Sequence, residues 1–377
     1  MFLCPLNTSL WALDTGYSDG VKRQLHLVTM IGMISPSTFN PQLSTHSLML
    51  VFEKKLLHSI RQRNHGSGKL LLAVSGGADS VAMLRAMAVI ESTADFSIDV
   101  AHFNHRVRND AVSDQEWVGE LSDMLGLTFW TNSVMETDDL PDHVQNDEAS
   151  LRKMRYQFLI ETAQAAGCQS ICVAHHAEDQ VETVLHHLIR GTSLRGMQGI
   201  PDNRVMDSGI VLRRPLLNFS RQEILDYLQE LGQDFRHDVT NDDQNYTRNR
   251  IRQELIPLLQ SYNANFSEHL IGLTNQIAEA HAFHLELVRA AIELATLSNQ
   301  ANHVRILVEP ILDLPEFLQR EFFVELWSQK NWPRQKMTTD DWTNLSDMLN
   351  QTEGRLNLSA GMTAERRAQM IVIEREN

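Results

Sequence analysis

Lys69-Leu-Leu-Leu-Ala-Val74 is a short apolar run that ends in Ser75-Gly-Gly-Ala-Asp-Ser80, and Val81 to Ile90 behind it has helical composition. Strand, glycine turn and helix form the opening unit of a parallel α/β sheet. The same alternation continues downstream. Ile98 to Phe103 reads as a second buried strand, Ala111 to Leu125 as a helix, Leu127 to Val134 as a third strand and Leu151 to Ala166 as a helix. Ser170 to Ala174 reads as a fourth strand and Asp179 to Ile189 as another helix. Upstream, Leu48, Val51, Phe52, Leu56, Leu57 and Ile60 give Ser47 to about Asn64 an amphipathic helical pattern. The fold class expected is α/β: a doubly wound, mostly parallel, Rossmann-like sheet with right-handed crossovers.

After about Tyr262 the pattern changes. Asn265 to Leu297 reads as one long helix, more helices follow through Leu349, and Arg355-Leu-Asn-Leu358 with Met370-Ile-Val-Ile373 reads as a short hairpin. Three parts are therefore expected. Residues 1–46 are an extension, disordered or owed to an early start with Met30 or Met33 as the true initiator. Residues 47–262 are a nucleotide-binding catalytic domain, and 263–377 a smaller, mostly helical domain. The extension lacks the basic and apolar regions of a signal peptide.

No apolar run approaches the roughly 18 residues of a membrane span. The only cysteines are Cys4, Cys168 and Cys172, too few for a disulfide framework, which points to the cytoplasm. The net charge of −15 excludes a protein that coats nucleic acid indiscriminately. Yet Leu185 to Gln260 holds ten arginines, no lysine and ten acidic residues, so this stretch is neutral inside an acidic chain. Arginine forks suit phosphate oxygens, although a solvated surface explains the bias as well.

The glycine turn is the strongest chemical signal. Gly76 and Gly77 let backbone approach an anion, Ala78 and Asp79 open a helix with free N–H groups, and Ser75 and Ser80 add hydroxyls. No lysine follows the glycines, so the string is not a Walker A loop. The phosphates of a nucleotide are the expected ligand. Asp79 is placed to help hold Mg²⁺, or simply to satisfy N–H groups in the first helical turn. Ala101-His-Phe-Asn-His-Arg-Val-Arg108 ends the second strand, where open sheets bind ligands. His102 and Asn104 are expected to shape the nucleotide pocket rather than bind metal, since no cysteine or carboxylate supports a closed site.

Glu148, Arg152 and Arg155 share one helical face. They form either a surface ion pair or a site where Arg152 or Arg155 meets the α-phosphate. Val173-Ala-His175-His176-Ala-Glu178-Asp179-Gln-Val-Glu182-Thr183 clusters imidazoles and carboxylates at another strand end. The cluster suits Mg²⁺, an amine or proton transfer, with His175 beside the nucleotide and Asp179 beside Mg²⁺. A dipole-stabilising acid explains one member of it but not the set.

The Ser75–Ser80 string resembles that of the PP-loop ATP pyrophosphatases, whose fold is of the adenine nucleotide alpha hydrolase type. The 101–108 string is similar to that of transfer RNA-modifying members. The 173–183 string continued by Leu188-Ile-Arg190-Gly191, Arg213-Arg-Pro-Leu-Leu217, and Asp238-Val-Thr-Asn241 through Tyr246-Thr-Arg248-Asn249-Arg-Ile-Arg252 are similar to those of the tRNA(Ile)-lysidine synthetases. The likeness runs from about residue 68 to 262 and continues more loosely behind it. It departs at Glu178, where an Asp is frequent, and the additional C-terminal domain of longer members is expected to be lacking.

The resemblance implies ATP-dependent attachment of free L-lysine to C2 of the wobble cytidine in a tRNA(Ile) bearing the anticodon CAU, through an adenylated base. It assigns catalytic roles to Asp79, Arg152, Arg155, Asp179, Arg248 and Arg252, with Asn249 beside them, and Mg²⁺ to Asp79 and Asp179. For Arg248, Asn249 and Arg252 a capped helix with exposed arginines is the plainer alternative. The tRNA would meet the arginine-bearing stretch and the helical domain. A homodimer is left open, as is how methionine tRNAs with the same anticodon are refused. Three rivals stand beside this reading: a tRNA thiolating enzyme using cysteines, a small-molecule adenylating ligase, and an ATP-gated RNA-binding module that releases no pyrophosphate.

Overall fold

The computed structural model describes residues 49–63, 68–104, 111–133, 148–236, 247–359 and 361–375. The N-terminal extension, His105, Arg106, Arg108 and the Asp238-Val-Thr-Asn241 and Tyr246 positions lie outside them. Residues from Leu50 onward make one compact unit.

The expected alternation is present. Helix α1 (Val51–Gln62) leads into β1 (Gly68–Ala73), α2 (Ala78–Glu91), β2 (Phe96–Asn104), α3 (Ala111–Met124), β3 (Thr128–Ser133), α4 (Glu148–Ala165), β4 (Ser170–Cys172) and α5 (Ala177–Arg190). Two strands without a sequence signal follow, β5 (Asn203–Val205) and β6 (Val211–Arg213), then α6 (Arg221–Leu231). They form a six-stranded sheet in the order β3-β2-β1-β4-β6-β5, parallel except for β5.

The apolar run of β1 is explained by its central place: Leu70, Leu71 and Leu72 are fully buried, as strands covered on both faces must be. Helix α2 carries no polar stripe for the same reason. Val81, Ala82, Met83, Leu84, Ala86 and Met87 are all buried, and the helix packs against α1 and α6. Phe158, Leu159 and Ala163 of α4 close the core over Leu71, Ile171 and Leu212.

The strand order reverses between β1 and β4. At such a switch point the loops leaving neighbouring strands part and open a crevice at their carboxyl ends. The glycine turn leaves β1 there, and the His175-His176 segment leaves β4.

Residues 247–262 are helical, with a π-helical turn at Ile251–Leu255. The long helix α7 (Phe266–Ala295) packs against both α5 and α8 (Glu316–Gln329). The C-terminal part corrects the expected short hairpin. Beside α7, α8 and α9 (Thr339–Asp347) stands a five-stranded antiparallel sheet in the order β7-β8-β11-β10-β9. Its strands are β7 (Thr296–Gln300), β8 (His303–Leu307), β9 (Glu353–Leu358), β10 (Met362–Arg367) and β11 (Met370–Arg375). The two segments read as hairpin partners are β9 and β11, but β10 lies between them. Its alternation of Met362 and Ala364 inward with Thr363 and Glu365 outward is half polar, so it carries no apolar run. Val304, Ile306, Ile371 and Ile373 join Phe322, Phe323 and Trp327 of α8 in a separate core.

Candidate active site

The glycine turn is held by its own serines. Ser75 N donates to Ser80 Oγ at 3.2 Å, the two hydroxyl oxygens stand 3.2 Å apart, and Ser80 Oγ donates to Gly77 O at 2.9 Å. Gly76 has φ +92°, a conformation L side chains rarely adopt, and its carbonyl accepts from Arg236 N at 2.9 Å. Gly77 precedes α2 with no side-chain cap. The first-turn N–H groups of Ala78, Asp79 and Ser80 therefore remain open to an anion, at the positive end of the helix dipole.

His102 is buried beneath this turn, its Nδ1 2.9 Å from Val74 O, and burial lowers its pKa. Buried Asn104 donates to Gln115 at 3.1 Å. Both shape the wall behind the turn.

Carboxylates of two helices, α2 and α5, converge on His176, which is 3% exposed. Its Nε2 is 3.7 Å from a carboxylate oxygen of Asp79 and 3.7 Å from one of Asp179, and its Nδ1 is 2.9 Å from Glu178 Oε2. Burial works against the imidazolium, but the Glu178 hydrogen bond and the charges of Asp179 and Asp79 outweigh it, so the pKa is raised. Asp179 also fills the capping role expected of a first-turn acid: Oδ2 accepts from His176 N at 3.0 Å. Burial raises the Asp79 pKa; His176 and Arg221 oppose the shift, and Asp179 and Glu178 add to it.

Glu178 bridges two elements. Its longer arm reaches His176 and also accepts from Arg221 N, at 3.0 and 3.1 Å, tying α5 to the start of α6. Its burial is outweighed by these partners, and its pKa is lowered.

Arg221 escaped the sequence reading, and Glu182 and Arg214, although within quoted strings, were given no role of their own. Arg221, one residue past the Ser220 cap of α6, reaches Asp79 with its guanidinium at 3.3 Å. Its signal is the capping box Ser220-Arg-Gln-Glu223. Glu182 is buried and pairs with Arg252, which also stands 3.8 Å from Asp179. Arg214, 6% exposed, acts electrostatically on His175 together with Arg152 and Arg155. Burial foremost, with those arginines, lowers the His175 pKa to about 4 despite Asp179.

Of the residues singled out in the sequence, Ser75 to Ser80, His175 and Asp179 thus share the switch-point crevice with Arg252, while Arg152 and Arg155 flank it at the start of α4. Arg248 does not join them. It is exposed and acts on His186, toward the far end of α5. Among the described residues no group of three or more His, Cys, Asp or Glu could hold a metal ion. Cys168 and Cys172 are buried around β4, and burial pushes their thiols up to about 11 and about 12.

A phosphate-ready glycine turn on β1 with a charged crevice beside it defines a nucleotide-using α/β protein of the PP-loop class, and the family model for the PP-loop domain matches residues 48–259. A tRNA(Ile)-lysidine synthase of Rhodopirellula baltica is 30% identical over 357 residues, 85% of this chain and 89% of that one. Those of Bacteroides thetaiotaomicron and a Nostoc species are 37% and 36% identical, over 59% and 60% of this chain and 50% and 65% of their own length. The chain belongs to the tRNA(Ile)-lysidine synthase family of PP-loop enzymes. Among solved structures, a U34-tRNA thiolase from Methanococcus maripaludis with its [4Fe-4S] cluster matches 60% of this chain and 79% of its own, with TM-score 0.50 and 13% identity, a likeness of fold.

Proposed function

We propose that the chain joins free L-lysine to C2 of the wobble cytidine of tRNA(Ile) with anticodon CAU, at the expense of ATP. The observation that carries this reading is the uncapped, serine-braced glycine turn standing beside the Asp79–His176–Asp179 knot at one switch point. The turn would take the β- and γ-phosphates. Arg152 and Arg155 would face the α-phosphorus, where charge builds as cytosine O2 attacks. The O2–P bond forms, the Pα–O–Pβ bond breaks and pyrophosphate leaves. A lysine amine then attacks C2, the C2–O2 bond breaks, AMP departs with that oxygen, and the amine proton passes to a neighbouring base.

Asp179 would anchor the lysine, and Arg252, held by Glu182, would keep that carboxylate in place. Asp79 and Asp179 suit Mg²⁺, which binds through one or two carboxylates while phosphates and water fill its remaining positions. Mg²⁺ would screen the phosphate charge during transfer. Arg248, exposed and close enough to His186 to act on it, suits RNA phosphate better than ATP.

Residues 47–262 would form the catalytic domain and 263–377 a tRNA-binding one. Its own apolar core supports that division. No helix of the described residues is long and apolar enough to cross a membrane, and a cytoplasmic setting fits the substrates. The thiolation alternative finds little support in two buried cysteines that keep their protons at neutral pH.

The test is AMP and pyrophosphate release from ATP with tRNA and lysine added singly and together. Pyrophosphate release that requires the tRNA supports adenylation of the base. Release that requires lysine and ignores the tRNA would show that lysine, not the base, is activated, and would refute the proposal.

A further inference from the structure

The peptide between Gly76 and Gly77 has glycine on both sides, so it can turn over at little steric cost. Turned one way it offers an N–H to an anion. Turned the other way it offers a carbonyl oxygen, which would repel one. Its orientation is set from outside the turn. Gly76 O accepts from Arg236 N at 2.9 Å, and in a trans peptide the following N–H points the opposite way. Gly77 N–H accordingly faces the serine hydroxyls, donating at 3.4 Å to Ser75 Oγ, which is 3.2 Å from Ser80 Oγ. That bond is longer than the usual range, so the donor is readily given up to a phosphate oxygen.

Arg236 lies beyond the end of α6, and its side chain holds it there. Its Nε stands 3.5 Å from Asp114 Oδ1, and its guanidinium lies 5.5 Å from the centre of the Trp117 ring, both on α3. The stem passes over Gly76, where an added Cβ would stand 3.5 Å from Arg236 Cγ. The side chain is 44% exposed, so neither contact is strong alone. Together they hold one backbone N–H against the Gly76 carbonyl, opposing the conformational entropy of the segment that carries it.

We propose that Arg236 is a positioning residue for ATP: anchored by Asp114 and Trp117, its backbone keeps the Gly76–Gly77 peptide turned with the N–H toward the β- and γ-phosphates. The inference rests on the reading of the glycine turn as the seat of those phosphates. It adds that the turn's aim is set by α3 and by the chain behind α6, and not by the turn alone.

The test is calorimetric titration of the full chain with ATP and with AMP, which lacks the two outer phosphates. Arg236→Ala is expected to weaken ATP by about tenfold, the order of one hydrogen bond to a charged oxygen, and AMP by less than about twofold. Arg236→Lys, which keeps a cation beside Asp114, should restore most of the ATP affinity. Should Arg236→Ala fail to fold, Asp114→Asn is expected to move ATP in the same direction by about threefold, since it removes one anchor of two. A folded variant with unchanged ATP affinity overturns the inference. Equal weakening of ATP and AMP also overturns it, because general damage to the fold would do the same. A wild type that binds ATP no more tightly than AMP overturns instead the reading of the turn beneath it.

Discussion

Arg252 and Glu182, 70 residues apart in the chain, form a two-pronged ion pair: Nε and Nη2 of the arginine donate to the two carboxylate oxygens at 2.5 and 3.1 Å. The glutamate side chain is 6% exposed and the arginine 42%. The π-helical turn at Ile251–Leu255 carries Arg252 to this contact, and such turns are frequent at functional sites. Burial raises the pKa of Glu182 despite the pairing, so its charge depends on the partner.

Removing that partner is expected to be costly. Arg252→Ala should lower stability to urea by about 1–3 kcal/mol, the cost of leaving a buried acceptor unsatisfied. The double variant Arg252→Ala with Glu182→Gln should recover most of the loss, and Arg252→Lys should recover little, because an ammonium cannot replace a fork. Urea melts of the wild type, these three variants and Glu182→Gln alone decide the matter; strict additivity of the single changes would argue against coupling.

Asp79 should show function opposing stability. Its folded pKa lies above the ordinary 3.8, so the folded state holds this proton more tightly than the unfolded chain. Stability therefore falls as pH rises from 3.8 through the folded value, and the deficit persists above it. Asp79→Asn removes the deficit. It is expected to melt higher than the wild type at pH 7, with the difference shrinking at low pH, while activity falls by about 100-fold or more for lost electrostatic stabilisation. Paired melts between pH 4 and 7 check the sign; a variant less stable at pH 7 would contradict it.

Gly76 offers a separate test of the glycine turn. An added Cβ would meet Arg236 and Val118 at 3.5 Å, which is ordinary contact, so the cost of Gly76→Ala is the backbone at φ +92°. That cost is about 1–2 kcal/mol. Affinity for ATP, measured by titration calorimetry, should drop with it. Unchanged affinity would mean that the turn's conformation does not matter for the nucleotide.

The buried thiols should be dispensable for chemistry. Cys168→Ala with Cys172→Ala is expected to keep AMP formation within about threefold, allowing for small core losses. Loss of AMP formation in a folded double variant would bring the cysteines, and a thiolating mechanism, back into play.

Much of this site was legible in the sequence because strand, turn and helix at β1 and β4 are local patterns, and both motifs sit where those strands end. What was not legible depends on distant chain. Arg221 reads as the first residue of an ordinary capped helix, and only the packing of α6 on α2 brings it to Asp79. Arg214 follows a strand too short to leave an alternating pattern. Arg248 and Arg252 look equivalent in sequence, four residues apart, yet Arg252, in the π-helical turn, meets Glu182 while Arg248, before it, stays exposed. The C-terminal sheet was missed for a related reason: β10 presents a polar face, so only pairing with β9 and β11 makes it a strand.

The most direct test of the central claim is transfer of labelled lysine to purified tRNA(Ile) bearing CAU, with and without ATP. ATP-dependent incorporation is expected, weak with methionine tRNA and lost in Asp79→Ala. A folded, ATP-binding protein that incorporates no lysine would contradict the account.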